Sequence, residues 1–307
     1  MRIWFRETEQ ALGRRAPLNM DFDTMRAKTG EQEGIICTDE RMYIRLRYEY
    51  GDRLELQVID GDTYPFERLD NGYWMLSLAD FHEFCYVYTP PGYVDENEKY
   101  PILYLQHGYG ENELGWLYQG RLAETVDRLI YSGKIKPMLI VMADGMMRCT
   151  EENGSVIHRP ELFTEELIED VMPLVENRYR VKNGGKYHAI AGLSMGSLQT
   201  CMTVFNNPGL FEWAGLFSGF MSNIFDGNDT HLENLKQNAD SFEHSIRLFF
   251  RAMGKDDPFW PVFEKDDRFC EEYGIRCVRK VYDGAHTWNV WRSCIKDFLP
   301  LLFREND

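Results

Sequence analysis

The sequence lacks the features of membrane, secreted and nucleic-acid-binding proteins. No apolar run reaches the ~20 residues that span a bilayer, and the N-terminal stretch 1–9 contains no apolar signal-peptide core. Basic residues are outnumbered, since 34 Lys and Arg stand against 50 Asp and Glu, for a formal net charge of -16 at pH 7. Because nucleic acids and anionic membranes attract basic surfaces, we expect neither as a partner. The expected location is cytoplasmic.

Paired cysteines and clusters of metal ligands are also lacking. The seven cysteines are odd in number and scattered, with no C-x-x-C pair, so we expect reduced thiols rather than disulfides or a zinc site. His107 could be considered as a metal ligand, but no second ligand stands at a useful spacing from it in the sequence. The sequence therefore predicts no metal and no cofactor.

The sequence does contain enough apolar material for a large core, with 44% of its 307 residues hydrophobic. From about Gln106 onward, short apolar strand patterns alternate with amphipathic helical ones. The strands are expected at 101–106, 136–142, 213–217, 246–250 and 276–282, and the helices at 122–131, 161–179 and 290–303. This alternation predicts an α/β fold with a mostly parallel central sheet and helices on both faces. We assign residues 80–307 to this domain.

The first part of the chain follows a different pattern. Residues 42–48 and 54–59 alternate apolar and polar side chains, as half-buried antiparallel strands do. Residues 1–35 are polar, with a possible helix and no clear core. We expect residues 1–79 to form a small β-rich unit with too few strands for a full β-sandwich.

The most informative stretch is the G-x-S-x-G pattern at Gly192-Leu-Ser194-Met-Gly196. A serine hydroxyl is a weak nucleophile unless a base is held beside it. This pattern places the serine at the apex of a sharp strand-to-helix turn that requires small neighbours. The stretch 186–191 before it is typical of a short buried strand, and 198–205 after it is compatible with a helix. This setting favours Ser194 as a catalytic nucleophile over a structural Gly-Ser turn.

The base should follow Ser194 in the chain, since α/β-hydrolases use the order Ser, Asp or Glu, His. Only His231, His244 and His286 do so. His286 falls between the last predicted strand and the last predicted helix, at the end of the sheet where catalytic groups collect. The other two fall in polar stretches, where we expect solvated side chains. The sequence therefore predicts His286 as the base.

The acid is expected after the preceding strand, where Asp256 and Asp257 stand side by side. Either could bind the imidazole Nδ1 and stabilise the imidazolium, and alternatively the carboxylate caps the helix that begins near Pro258. Asp257 is preferred to Asp256. Two backbone N–H groups should form the oxyanion hole, that of Met195 after the nucleophile and one from the glycine-rich loop 106–113, for which we choose Tyr109.

Several stretches together resemble the putative-esterase family of α/β-hydrolases. This family includes feruloyl and acetylxylan esterases, S-formylglutathione hydrolase, enterochelin esterase and the mycolyltransferases. The matching stretches, which cover nearly all of 82–307 in the family's order, are 87–93, 100–108, 111–113, 189–197, 217–219, 254–257, 285–288 and 290–291. The resemblance implies Ser194 as nucleophile, Asp257 as acid and His286 as base, with the amides of Met195 and Tyr109 as oxyanion donors.

Two features depart from the family pattern. Ser197 stands where the family commonly has a second glycine, a change that should affect helix packing more than chemistry. Residues 42–78 are similar to the opening strands of the immunoglobulin-like domain that precedes the esterase in two-domain relatives, without its later strands. The resemblance therefore implies a truncated immunoglobulin-like unit in 1–79.

The leading functional hypothesis is a serine carboxylic-ester hydrolase that forms an acyl-enzyme on acetyl, feruloyl or similar esters of sugars or small alcohols. Trp116, Trp288 and Trp291 fall near the expected cleft, where aromatic walls would suit a sugar or a phenolic acyl group; alternatively, Trp288 and Trp291 belong to the core. The alternatives are an acyltransferase with the same triad, an enterochelin-type siderophore esterase and a non-catalytic binding protein. The expected partner is a small-molecule or carbohydrate ester, and the sequence is compatible with a homo-oligomer.

Overall fold

The chain divides into two compact units, Met1–His82 and Glu83–Asp307. The computed structural model describes residues 85–94, 97–150, 156–224 and 227–304, and seven strands earlier in the chain. The division between the units lies close to the boundary expected at residue 79.

The described residues of the first unit form two antiparallel sheets. Their strands are β1 (Arg2–Arg6), β2 (Glu31–Cys37), β3 (Tyr43–Glu49), β4 (Arg53–Val58), β5 (Thr63–Pro65), β6 (Glu67–Arg68) and β7 (Tyr73–Ser77). One sheet has the order β2-β3-β4-β5, and the other has the order β1-β7-β6. β3 and β4 lie where alternating polarity predicts strands.

The strands β1 and β2 come from the stretch 1–35, where the sequence predicts no strand. Each is an edge strand of its sheet, and an edge strand need not carry the apolar alternation that reveals a half-buried one. Residues 7–30, where any helix of this stretch would fall, lie outside the described residues. The identification of 1–79 as a truncated immunoglobulin-like unit stays a prediction.

The second unit is built on a seven-stranded sheet. Its strands and one separate hairpin (β11 and β12) are β8 (Cys85–Tyr88), β9 (Ile102–Gln106), β10 (Leu139–Ala143), β11 (Arg148–Thr150), β12 (Val156–His158), β13 (His188–Leu193), β14 (Trp213–Phe217), β15 (Leu248–Gly254) and β16 (Val278–Tyr282). The sheet has the order β16-β15-β14-β13-β9-β10-β8, and every neighbouring pair is parallel except β8 with β10. The predicted mostly parallel sheet is confirmed.

Helices connect these strands. They are α1 (Gly115–Tyr118), α2 (Leu122–Tyr131), α3 (Phe163–Glu166), α4 (Met172–Arg178), α5 (Met195–Asn206), α6 (Thr230–Gln237), α7 (Ala239–Ser245), α8 (Trp260–Glu272) and α9 (Trp288–Phe298). A π-helical turn, Leu167–Val171, joins α3 to α4, so the single helix predicted over 161–179 contains an irregular turn. Among the described residues, no helix is both long and apolar enough to span a membrane.

Both faces of the central sheet are buried. On β13, Ile190 packs in the core layer that also holds Phe163, whereas Ala189 and Ala191 pack in the layer that holds Val126 of α2. Successive side chains of a strand point to opposite faces, so a strand covered on both faces is apolar at most of its positions. All residues of β9, β10, β13, β14 and β15 are accordingly buried. The carboxyl ends of these strands carry the loops of the candidate site.

Candidate active site

Ser194 occupies a sharp turn between β13 and α5. Its backbone angles are φ 51° and ψ -115°, in the left-handed region that residues other than glycine rarely adopt. A Cβ atom at Gly192 would lie 2.3 Å from the carbonyl of Gly196, and one at Gly196 would lie 2.6 Å from the carbonyl oxygen of His107. The two glycines therefore make the turn possible, and the Ser194 side chain remains partly exposed at its apex.

The structure brings Ser194, His286 and Asp257 into one hydrogen-bonded chain. His286 Nε2 lies 3.0 Å from Ser194 Oγ, and His286 Nδ1 lies 2.9 Å from Asp257 Oδ2. Because a carboxylate only accepts hydrogen bonds, Nδ1 carries the proton and Nε2 accepts from the serine hydroxyl. In this tautomer the imidazole is ready to take the Ser194 proton.

The structure distinguishes between the two neighbouring aspartates. Asp257 is 3% exposed, and its second oxygen, Oδ1, accepts the Phe259 N–H at 3.0 Å. Asp256 is exposed, and its backbone N–H donates to the Gly284 carbonyl. Only Asp257 therefore lies in contact with the imidazole, with both carboxylate oxygens held by fixed donors.

Aromatic side chains on two sides fix the orientation of the His286 ring. Trp291 lies perpendicular to it with ring centres 5.1 Å apart, and Phe259 lies 5.2 Å away at 63°. Edge-to-face contacts of this kind are typical of stable aromatic packing. The imidazole is thus held by hydrogen bonds at both nitrogens and by packing on its ring.

The two remaining histidines after Ser194 lie elsewhere, and one of them differs from expectation. His244 is exposed. His231 is only 2% exposed, stacks on Phe205, and bonds the Met221 carbonyl through Nε2 at 2.7 Å. The prediction of a solvated His231 is wrong, because a hydrogen bond to a backbone carbonyl allows an imidazole to be buried among apolar side chains.

The glycine-rich loop after β9 lies beside Ser194. A Cβ atom at Gly108 would be 3.5 Å from Ser194 Cβ, which places the backbone of Tyr109 next to the serine. Met195 is the first residue of α5, where backbone N–H groups have no partner within the helix. The two amides chosen as oxyanion donors therefore belong to segments that border Ser194.

His107 links this loop to the loop after β10 through both of its ring nitrogens. Its side chain is 1% exposed, its Nε2 accepts the Gly145 N–H at 2.9 Å, and its Nδ1 donates to the Gly108 carbonyl at 2.8 Å. Within the described part of the chain, no three His, Cys, Asp or Glu residues are grouped so that they could hold a metal ion.

Sequence patterns predict no role for two polar side chains that lie near the site, those of Glu111 and Gln199. Glu111 Oε2 accepts the Gly108 N–H at 3.0 Å, and its Oε1 accepts the Trp288 Nε1–H at 2.9 Å. Gln199 on α5 donates through Nε2 to the carbonyls of Gly145 and Pro160. Glu111 stands in a matching stretch of the family resemblance, but nothing in the stretch indicates its partners. Glu111 thus links the loop after β9 to the first residue of α9, and Gln199 links α5 to the segments of Gly145 and Pro160.

The three tryptophans form one contiguous group, but two of them are not exposed. Trp116 is 1% exposed and donates its Nε1–H to the Gln106 carbonyl, and Trp291 is 7% exposed. Trp288 is partly exposed and packs perpendicular to both, at 5.1 Å and 5.2 Å. The expectation that all three line a cleft needs correction, because helical periodicity and loop contacts turn Trp116 and Trp291 inward.

Ser197 makes contacts that a glycine at its position could not make. Its Oγ donates to the Ser194 carbonyl at 2.5 Å and accepts the Phe220 N–H at 3.3 Å. A Cβ atom at Gly219 would lie 2.3 Å from this Oγ, so Gly219 provides the space that the serine needs. The departure from the family pattern therefore links the turn at Ser194 to the loop after β14.

A second buried polar cluster centres on Arg251 of β15, which is 1% exposed. Its Nη1 donates to Asp267 Oδ1 at 2.8 Å, and its Nη2 donates to the Phe263 carbonyl and lies 3.8 Å from Asp266 Oδ2. Burial raises the pKa of Asp266 to about 6 despite the opposing effect of Arg251. This cluster joins α8 to the sheet and contains no serine or histidine.

Comparison with known families matches residues 84–302 to the family described as Putative esterase. Among curated proteins, the chain is 30% identical over 272 residues to an endo-1,4-beta-xylanase/feruloyl esterase of Xylanibacter ruminicola and 31% identical over 254 residues to endo-1,4-beta-xylanase Y of Acetivibrio thermocellus. These alignments cover 84% and 71% of this chain but only 35% and 22% of those proteins. The chain thus spans only a part of the length of these relatives.

Solved structures share the fold. A ferulic acid esterase from Anaeromyces mucronatus, in complex with ferulic acid, has a TM-score of 0.61 and 24% identity, over 72% of this chain and 85% of that chain. A mutant feruloyl esterase module from Clostridium thermocellum, complexed with sinapinate, has a TM-score of 0.59 and 22% identity, over 79% of this chain and 87% of that chain. At these identities the likeness shows the fold, and it confirms the predicted α/β-hydrolase fold.

Proposed function

The chain belongs to the putative-esterase family, and from this premise we propose that it is a serine carboxylic-ester hydrolase whose nucleophile is Ser194. The observation that carries the proposal is the hydrogen-bonded chain from Ser194 Oγ through His286 to Asp257, with distances of 3.0 Å and 2.9 Å. A nucleophile beside a base that is itself oriented by an acid is the arrangement that acyl transfer requires.

In the first half of the reaction, Ser194 Oγ attacks the ester carbonyl while His286 Nε2 takes its proton. The imidazolium then donates that proton to the departing alcohol, which leaves an acyl-serine. In the second half, the imidazole removes a proton from water, which attacks the acyl-serine, and the imidazolium returns that proton to Ser194 Oγ as the bond to the acyl group breaks and the acid leaves. Asp257 stays ionised throughout and stabilises the imidazolium, since its carboxylate faces Nδ1.

The developing oxyanion is assigned to the backbone N–H groups of Met195 and Tyr109. Such donors act on charge that appears in the transition state, and losing one of them costs a hydrolase about 10²- to 10³-fold in kcat. The position of Met195 at the start of α5 adds the favourable end of a helix dipole.

For the substrate, we propose a feruloyl-type aromatic acyl ester of a sugar. Two curated or solved relatives are named feruloyl esterases, which describes those proteins and supports the class here. In this chain, the Tyr109 side chain is 57% exposed and packs edge-on against His158 at 6.3 Å. This pair and the partly exposed Trp288 offer aromatic surface near Ser194 for a phenolic ring.

The proposal is tested by measuring hydrolysis of feruloyl, acetyl and p-nitrophenyl esters by the parent protein and by Ser194→Ala. We expect turnover by the parent, and a fall of about 10³-fold or more in kcat for the variant. Ser293→Ala is the matched control, because its hydroxyl only donates to the Asn289 carbonyl on α9, and it should keep the parent rate. Ser194→Ala with parent-like turnover would overturn the assignment of the nucleophile.

The same assays separate the other candidate functions. Adding a sugar acceptor and analysing the products distinguishes hydrolysis, which gives the free acid, from acyl transfer, which gives a new ester. Absence of turnover on every ester, together with saturable binding, would instead favour a non-catalytic binding protein.

A further inference from the structure

Glu111 connects two loops that are far apart in sequence. Its Oε2 accepts the backbone N–H of Gly108, in the loop beside Ser194, at 3.0 Å, and its Oε1 accepts the indole N–H of Trp288, which follows the His286 loop, at 2.9 Å. The Glu111 N–H also donates back to the Gly108 carbonyl at 3.2 Å. Both side-chain bonds have a carboxylate as acceptor, and bonds to ionised groups are stronger than neutral ones.

The space around this carboxylate is closely fitted by glycines. A Cβ atom at Gly108 would lie 3.4 Å from Glu111 Oε2 and 2.7 Å from a Leu193 methyl group. A Cβ atom at Gly115 would lie 3.6 Å from the same oxygen and 3.5 Å from the Trp288 ring. The carboxylate therefore packs at van der Waals distance from both positions, and the one position where a side chain would clash is Gly108, against Leu193.

From Trp288, direct packing continues to the imidazole. The Trp288 and Trp291 rings are 5.2 Å apart, and the Trp291 and His286 rings are 5.1 Å apart, both nearly perpendicular. On its other side, Glu111 fixes the peptide group of Gly108, which directly precedes the residue whose N–H is assigned to the oxyanion. The carboxylate thus binds the loop of Gly108 on one side and, on the other, the first residue of α9, which directly follows the loop of His286.

We propose that Glu111 is a positioning residue that sets the distance between the loop of Gly108 and Tyr109 and the loop of His286. The inference rests on the proposed function, because it concerns the geometry of that reaction. Oxyanion donors and base must both be held within about 0.5 Å of their working positions for full effect. A single carboxylate that binds both loops does this without touching the substrate.

The test is Glu111→Gln, which has nearly the same shape but only one acceptor oxygen. Either the Gly108 N–H or the Trp288 N–H must then face an amide NH₂ group instead of an acceptor. We expect kcat to fall about 10- to 100-fold with KM changed by less than about threefold, because the lost geometry matters most in the transition state. Glu124→Gln is the matched control, since this exposed glutamate pairs only with Arg121, and it should match the parent.

A second variant, Trp288→Phe, keeps a ring in the same place but removes the N–H donor. We expect its kcat to fall about threefold to tenfold, and the Glu111→Gln/Trp288→Phe double variant to lose less than the product of the two single losses. Melting temperatures of all variants are measured in parallel. A Glu111→Gln variant with a lowered melting temperature but a kcat within twofold of the parent would overturn the inference, and so would independent effects in the double variant.

Labelling with a fluorophosphonate separates this inference from the proposed function. If the parent is labelled at Ser194 and Glu111→Gln is labelled more slowly, both are supported. A parent that is labelled at Ser194, with Glu111→Gln labelled at the same rate, contradicts only the positioning role. A parent that is never labelled and never hydrolyses an ester contradicts the proposed function itself, and the inference with it.

Discussion

The molecule contains two aspartates that are equally buried but differ in their partners. Asp257 and Asp266 are each 3% exposed. Asp257 binds the His286 imidazole and the Phe259 N–H, and its hydrogen-bonded chain ends at a partly exposed serine. Asp266 accepts the Met221 N–H at 2.8 Å and faces the guanidinium of Arg251, a cation that is itself 1% exposed.

The difference lies in when the partner is charged. Arg251 carries its charge permanently, so its attraction to Asp266 is present in the resting protein and contributes to the free energy of folding. In the proposed reaction, His286 gains its charge when Ser194 loses its proton, so the attraction of Asp257 would grow along that reaction. An interaction that strengthens in the transition state lowers the barrier, whereas one that is constant does not. Two equally buried aspartates can therefore differ in role, since one faces a partner whose charge is proposed to appear during the reaction and the other faces a permanent cation.

The largest effect is expected for Asp257→Asn. An amide facing Nδ1 favours the tautomer that places the proton on Nε2, where it cannot accept the Ser194 proton, and we expect kcat to fall about 10³- to 10⁴-fold. The free energy of unfolding should change by less than about 1 kcal/mol, because the amide oxygen can still accept the Phe259 N–H. Ester hydrolysis and urea unfolding measure the two quantities.

The control for this variant is Asp256→Asn, because Asp256 is the exposed neighbour. Its kcat should stay within about twofold of the parent. A large loss of kcat in Asp256→Asn, with activity retained in Asp257→Asn, would reverse the assignment of the acid.

In contrast to Asp257→Asn, Arg251→Met should lose stability and keep its kcat. The variant leaves Asp266 buried without its cation, and breaking a buried ion pair in this way costs about 3–5 kcal/mol of stability. The kcat per active site, counted by fluorophosphonate titration, should stay within about threefold of the parent, because Arg251 contacts none of the triad residues. A loss of stability below about 1 kcal/mol would contradict the structural role of the cluster.

The smallest effect is expected for Asp266→Asn, and it is a pH-dependent change in the free energy of unfolding. Burial raises the pKa of Asp266 to about 6 in the folded protein, above its value near 3.9 in an unfolded chain. Between these pH values the folded state binds more protons than the unfolded state, so this group's contribution to stability falls as the pH rises through the window.

In Asp266→Asn, the side chain at this position neither binds nor releases a proton in this pH range. The variant's free energy of unfolding, relative to the parent's, should therefore rise between pH 4 and pH 6 by on the order of 2 kcal/mol, and stay level above that range. Urea unfolding at closely spaced pH values measures the difference. Parallel curves for the two proteins would show that Asp266 does not titrate there.

The central sheet could be predicted from the sequence because its inner strands, which are buried on both faces, are apolar at most of their positions. The turn at Ser194 and the position of His286 beside it could be predicted because glycines, a strand and a helix in sequence fix the turn, and because the loops that follow strand ends meet at one edge of the sheet. The ends of helices and strands were predicted less accurately than their positions. β13 begins at His188, since a 3₁₀ turn takes up Gly185–Tyr187, and the π-helical turn at Leu167–Val171 has no signature in apolar spacing.

What could not be predicted depends on contacts between residues far apart in the chain. The burial of His231 depends on the Met221 carbonyl, which lies in a loop. The inward positions of Trp116 and Trp291 depend on how their elements pack. The partners of Glu111 lie in two different loops. Local sequence patterns carry no information on such pairs, although they did limit the predicted acid to two adjacent aspartates.

The most direct test of the central claim is covalent labelling of the intact protein with a fluorophosphonate, followed by mass spectrometry and peptide mapping. This reagent reacts with a serine hydroxyl that a neighbouring base activates. If Ser194 is the nucleophile, the parent carries one adduct per chain, located on Ser194, and Ser194→Ala carries none. An adduct that persists in Ser194→Ala, or an unlabelled parent, would contradict the claim.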